Sequence, residues 1–365
     1  MAEAIKNYIN PELVNQLADN IVKEYDRFDK AGFIKYVIND TWNVFELKQR
    51  INHVATGLHQ FLPLDFPQVI AIIDRVITQY DNLWSVEDAW FFLTYIEMFG
   101  QADEHWEVAV AAMGRYTKHS SAEFAVRPFI MRDEARMMAQ MYEWAQHENE
   151  HLRRLASEGC RPALPWAPAL PKYKKDPTPI LPILEQLKAD PSLYVRKSVA
   201  NNLNDISKTH PELVVAIAQK WYGSNADTNW IVKHACRTLL KQGNPDALAI
   251  FGYHDTTVVD VQDFALSTNT VAIGNSFNFS FKITALKATK LRLEYGIDFV
   301  KANGKRNRKI FQISESELKM GQQKSYDKKH SFADLSTRKH YTGLHAITLI
   351  VNGAERGTLE FEVTN

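Results

Sequence analysis

Only two cysteines, Cys160 and Cys236, occur in this 365-residue chain, and they form no CxxC pair. That argues against a disulfide scaffold or a cysteine-rich zinc site, and fits a reducing compartment. No apolar run reaches the roughly 18 residues a membrane span requires, so no membrane association is expected. The first residues show no basic segment followed by an apolar one, which speaks against a secretory leader. A P-loop, a GxSxG elbow and a Gly-rich dinucleotide fingerprint are all missing, and the chemistries they mark are set aside.

Net charge is also missing, at zero over the whole chain, but only because it is unevenly divided. Residues 1–150 carry 13 Lys+Arg against 23 Asp+Glu, whereas residues 151–241 carry 14 against 7. Residues 256–365 carry 16 against 11. Such asymmetry points to a polyanionic partner for the basic parts.

The chain is 45% hydrophobic and 24% charged, the composition of a globular protein with two or three cores. Up to about residue 252 apolar residues recur at helical spacing, as in Val54, Leu58, Phe61 and Leu62. Asp190-Pro191, His210-Pro211 and Asn244-Pro245 read as helix starts. From about residue 258 the period becomes two: Phe277, Phe279, Phe281 and Ile283 alternate with polar residues. Gly274-Asn275, Asn303-Gly304 and Asn352-Gly353 supply turns. The expected architecture is an all-α HEAT-like repeat solenoid over residues 1–255. An all-β immunoglobulin-like sandwich over residues 256–365 follows, without the Cys pair of antibody domains.

The helical part repeats itself. Tyr194–Leu203 aligns with Trp230–Leu239, and a weaker copy begins at His151. A period near 40 is typical of HEAT-type arrays. A single helix over Asp190–Lys208 would bury Val195, Val199, Leu203 and Ile206 and place Lys197, Asn201 and Asp205 on another face. Equivalent positions hold Lys233, Arg237 and Lys241 in the next repeat, and Arg153, Ser157 and Arg161 in the weaker one. With Arg154 beside it, this basic strip is the footprint expected for phosphate tracking along duplex DNA. Asp205 is the only acid at these positions and lies near a helix C-terminus, where a cation would be favoured. Either Lys208 balances it, or a negative charge is wanted there to stabilise a cationic sugar.

Several phrases then become specific. Glu46–Val54 (ELKQRINHV), Ser121–Phe129 (SAEFAVRPF), Arg153–Gly159 (RRLASEG), Leu164–Trp166 (LPW) and Val195–Ser207 (VRKSVANNLNDIS) resemble the AlkC branch of the AlkC/AlkD DNA alkylation repair glycosylases. The resemblance covers roughly residues 5–255, and some members of that branch carry a C-terminal immunoglobulin-like domain. It implies excision of cationic lesions such as 3-methyladenine from duplex DNA, without full flipping of the base and without metal or cofactor. It also implies a monomer acting in the cytoplasm. By this analogy Glu123 and Asp205 act on sugar and water, and Trp166 packs against the deoxyribose or the lesion. Each has a plainer reading. Glu123 in Ser-Ser-Ala-Glu could be a capping-box residue, and Trp166, among Pro162, Pro165, Pro168 and Pro171, could merely pack a loop.

His147-Glu-Asn-Glu-His151 spells HExxH, but its flanks are polar and no third ligand suggests itself, so no metal is expected. Lys305-Arg306-Asn307-Arg308-Lys309, Lys328-Lys329 and Arg338-Lys339 suggest that the β-domain grips DNA, although lysines also guard strand edges. The alternative function is a non-catalytic HEAT-repeat scaffold binding DNA or protein. It predicts the same strip but gives no reason for Glu123, Trp166 and Asp205 together.

Overall fold

The computed structural model describes residues 5–79, 87–334 and 339–365. Arg338, counted above among the cations of the β-domain, lies outside them. Helices come first: α1 (Pro11–Glu24), α2 (Lys30–Val37), α3 (Leu47–Phe61), α4 (Phe66–Thr78), α5 (Glu87–Phe99), α6 (Trp106–Tyr116), α7 (Val126–Arg132) and α8 (Glu134–Trp144). There follow α9 (Glu150–Gly159), α10 (Pro171–Lys175), α11 (Leu181–Leu187), α12 (Leu193–Ile206), α13 (Pro211–Trp221), α14 (Ala226–Ala235), α15 (Arg237–Lys241) and α16 (Pro245–Ile250). Among the described residues no helix is long and apolar enough to cross a membrane.

Local chemistry sets the helix starts. Asn10, Asp65, Asp133, Asn149 and Asn244 each accept a hydrogen bond from a backbone N–H of the first turn. Pro11, Pro211 and Pro245 occupy the first helical position, where a missing N–H costs nothing. The Asp190–Lys208 reading needs trimming, because α12 starts only at Leu193. Asp190 instead accepts from Ser192 N at 2.8 Å, closing a turn ahead of the helix. The predicted stripe Val195, Val199, Leu203 and Ile206 is buried throughout.

The strands are β1 (Val259–Leu266), β2 (Thr270–Ala272), β3 (Ser276–Ala285), β4 (Thr289–Val300), β5 (Arg306–Leu318), β6 (Gln323–Ser331), β7 (Gly343–Val351) and β8 (Ala354–Thr364). They form a three-stranded sheet, β1-β3-β6, and a five-stranded sheet, β2-β8-β7-β4-β5. All pairs are antiparallel except β2 with β8. Phe277, Phe279, Phe281 and Ile283 of β3 all point into the core shared by the two sheets, as their alternation predicts.

Helices end at Ile250 and strands begin at Val259, but compactness divides the chain elsewhere. One unit runs to Thr209 and includes Asn225–Ile231; the other comprises His210–Ser224 and Val232–Asn365. Within the second unit, Lys233 bonds Glu315 at 2.9 Å and Asn352 Nδ2 donates to Asp255 O at 2.7 Å. The final helical residues are thus built together with the sandwich.

Candidate active site

In the first unit α9 packs against α12 through a polar seam. Arg153 grips Asp190 through two bonds of 2.6 and 3.1 Å, Asn202 Nδ2 donates to Ser157 O at 2.8 Å, and Ser198 Oγ donates to Glu158 Oε2 at 2.6 Å. This seam brings the candidate residues into one chain of contacts.

Glu123 lies in the turn before α7 and does not cap it. The residue preceding that helix is Ala125, and no side chain caps it, so the capping-box reading fails. Instead Ser121 Oγ donates to Glu123 Oε2 at 2.9 Å, and Arg154 bonds both groups. Both contacts fall on Oε2; among the described residues Oε1 takes none. The Arg154 guanidinium also lies 3.4 Å from Glu158 and 5.1 Å over the ring of Tyr194. Burial alone would lower its pKa, yet Glu158 and Glu123 raise it above the ordinary arginine value, so it is a fixed cation.

Glu158 passes the network on. Its Oε1 accepts from Arg161 Nη1 at 2.6 Å, and Arg161 Nε donates to Asp205 Oδ2 at 2.9 Å. Lys208 Nζ donates to Asp205 Oδ1, also at 2.9 Å. Asp205 is buried, and the balancing role considered for Lys208 is met, with Arg161 as a second counter-ion. Glu123 and Asp205 are therefore the two ends of one relay: Glu123, Arg154, Glu158, Arg161, Asp205.

Trp166 stands at the edge of this relay. It is 69% exposed, so the loop-packing reading fails, and its φ of +64° is a conformation bulky residues rarely adopt. A cavity of about 290 Å³ opens between Trp166 and Glu123, walled by Lys48, Trp90, Glu97 and Phe124. Burial raises the pKa of Glu97 against the pull of Lys48.

The remaining predicted residues separate into three groups. Lys197 and Lys241 are exposed, and Asn201 is half-buried. Lys233 is tied to Glu315 and to the Tyr253 hydroxyl at 3.1 Å, with its ammonium over the Phe251 and Tyr253 rings. Arg237 donates to His234 O at 2.6 Å. Arg153 and Arg161 require a correction. Their side chains are 14% and 9% exposed and turned onto Asp190, Glu158 and Asp205, so they are internal braces and not part of a phosphate-facing strip. Arg161 leaves the register because α9 ends at Gly159. The HExxH letters do not share a helix either, since α9 begins at Glu150 and His147 Nδ1 accepts from Asn149 N. In the β-domain, Arg308 pairs with Asp298 and Glu355, and Arg306 with Glu360, leaving Lys305 and Lys309 as exposed cations of that run.

Sequence reasoning missed Glu158 and Ser198, and it named Arg154 only for DNA. An available signal was the Arg154–Glu158 spacing of four, which pairs acid and cation on one helix face, with Arg161 three residues on, just past the helix end. Lys48 and Glu97 left no comparable local signal.

Comparison with known proteins bears on both parts of the chain. Residues 106–239 match the family described as DNA alkylation repair enzyme, and residues 260–365 match the C-terminal Ig-like domain described for uncharacterised protein YhaZ. Protein YhaZ of Bacillus subtilis (strain 168) is 44% identical over 359 residues, spanning 98% of this chain and 99% of that one. Among solved structures, the chain is similar to the Pseudomonas fluorescens alkylpurine DNA glycosylase AlkC, bound to DNA containing an abasic site analog. The TM-score is 0.94 and the identity 37%, with all of both chains covered.

Proposed function

Because the chain belongs to the DNA alkylation repair enzymes of the AlkC type, we propose that it is a glycosylase excising cationic alkylated bases, such as 3-methyladenine, from duplex DNA. The observation that carries this reading is the relay joining Glu123 to Asp205 beside an exposed, conformationally strained Trp166.

The chemistry follows from the substrate. An alkylated base that already bears a positive charge leaves as a neutral molecule when the C1′–N bond breaks, so no acid is needed to protonate it. The electron pair goes to the base and the sugar becomes an oxocarbenium-like cation. Fixed negative charge stabilises that cation, and a carboxylate oriented toward a water accepts its proton as oxygen bonds to C1′. Glu123 suits the water, because among the described residues its Oε1 has no other bond to make. Asp205, held on both oxygens by Arg161 and Lys208, suits a fixed electrostatic role. Trp166 packs against the deoxyribose or the lesion. Since the base needs no protonation, full extrusion into an acid-bearing pocket is unnecessary, and excision proceeds without it.

Exposed Lys197 and Lys241 supply phosphate contacts, and Lys305 and Lys309 of the β-domain grip the duplex from outside. The test is incubation with N-methylated duplex DNA, scoring free 3-methyladenine against 7-methylguanine. Release of 3-methyladenine with multiple turnovers is expected. Tight binding with no base released would make the chain a scaffold.

A further inference from the structure

Arg127 of α7 heads the fully buried side chains in size, at 1% exposure. It forms no ion pair among the described residues; every hydrogen bond it makes ends on a backbone carbonyl. Nε and Nη2 donate to Pro168 O at 2.9 and 2.6 Å, and Nη1 donates to Gly159 O at 2.9 Å and Arg161 O at 3.0 Å. Those carbonyls bracket the loop that carries Trp166, with Arg161 at its start and Pro168 near its end. A Cβ at Gly159 would lie 2.5 Å from Val126 and 3.0 Å from Met141, so this glycine is what lets the end of α9 come so close to α7.

A buried guanidinium without a counter-charge is expensive, and burial depresses its pKa to about 10. An apolar side chain would fill the same volume without that cost but could not join both ends of the loop. Trp166 meanwhile holds a left-handed backbone, a state that persists only where its surroundings over-determine it.

We propose that Arg127 is a positioning residue that locks the Trp166 loop in its working conformation. Its activity readout rests on the glycosylase reading above. Arg127→Lys keeps the charge but cannot span three carbonyls, and Arg127→Gln keeps two donors without charge. In single-turnover assays on duplex containing 3-methyladenine, both variants should excise about 30-fold or more slowly, with DNA affinity within about threefold of the parent. In a cycle with Trp166→Ala, the double variant should lose less than the product of the two single losses. Losses that simply multiply would overturn the proposal, and so would unfolding of both variants, which would leave Arg127 a purely structural residue. A second arm is independent of activity. The fluorescence difference between each protein and its Trp166→Phe counterpart isolates this indole among the eight tryptophans. Its acrylamide quenching should change in Arg127→Lys, and unchanged quenching would refute positioning even if the parent released no base.

Discussion

Lys48 Nζ donates to the backbone carbonyl of Trp166 at 2.8 Å, across 118 residues of chain. The same ammonium stands 4.9 Å from the centre of the Phe124 ring, next to Glu123. One exposed cation of α3 therefore ties the apex of the tryptophan loop to the turn that carries the first carboxylate. Lys48→Met should slow single-turnover excision by roughly tenfold while changing stability by under about 1 kcal/mol, as expected for an exposed bond. Wild-type rates in Lys48→Met would show that the loop apex holds itself.

The two carboxylates should differ. Glu123→Gln and Asp205→Asn each remove a charge, and loss of such stabilisation is on the order of 10²–10⁴ in rate. Asp205→Asn should also weaken its buried contacts with Arg161 and Lys208, lowering the melting temperature. Glu123→Gln should melt closer to the parent, since both of its contacts fall on a single oxygen. Neither change should weaken binding to duplex DNA. Wild-type excision by both variants would dismiss the relay as the catalytic centre.

Salt dependence discriminates the exposed cations from the braced ones. Lys197→Ala and Lys241→Ala should each flatten the slope of log K against log salt by up to about 0.9 for every phosphate no longer neutralised. Arg153→Ala should cost stability instead, because it strands buried Asp190. A slope unaltered in the folded Lys197 and Lys241 variants would put the duplex on another surface.

How far the sequence could be read is plain from these residues. Periodicity found the apolar stripe of α12 and the alternation of β3, because both depend only on neighbours in sequence. The same periodicity misplaced Arg153 and Arg161, since a helical register shows which residues share a face but not what a neighbouring helix offers that face. Asp190 and Asp205 were there to receive them. Glu123 was legible only by resemblance: locally it looks like a cap, and its true partner, Arg154, arrives from α9. Lys48, bonded across more than a hundred residues, is beyond any local pattern.

Acid should weaken the β-sandwich. His345 is fully buried, donates from Nδ1 to Gly343 O and accepts at Nε2 from Val300 N, so the fold holds it neutral. Burial depresses its pKa below the ordinary imidazole value. Between that depressed value and about 6.5 the unfolded chain binds the extra proton, so stability declines as pH falls through that window. The slope for one such proton is at most about 1.4 kcal/mol per pH unit. Melting curves at pH 7.5, 6.5 and 5.5 should show the decline, and His345→Gln should reduce it. Parallel pH profiles for the two proteins would exclude His345 as the source.

The two compact units are stitched rather than strung, because the backbone passes between them three times, after Thr209, Ser224 and Ile231. A deletion at the helix–strand junction would therefore not remove the second unit cleanly. It would have to include α13, α15 and α16, and α14 would still be shared. A chain cut ahead of Val259 is consequently expected to keep helices that belong with the missing strands.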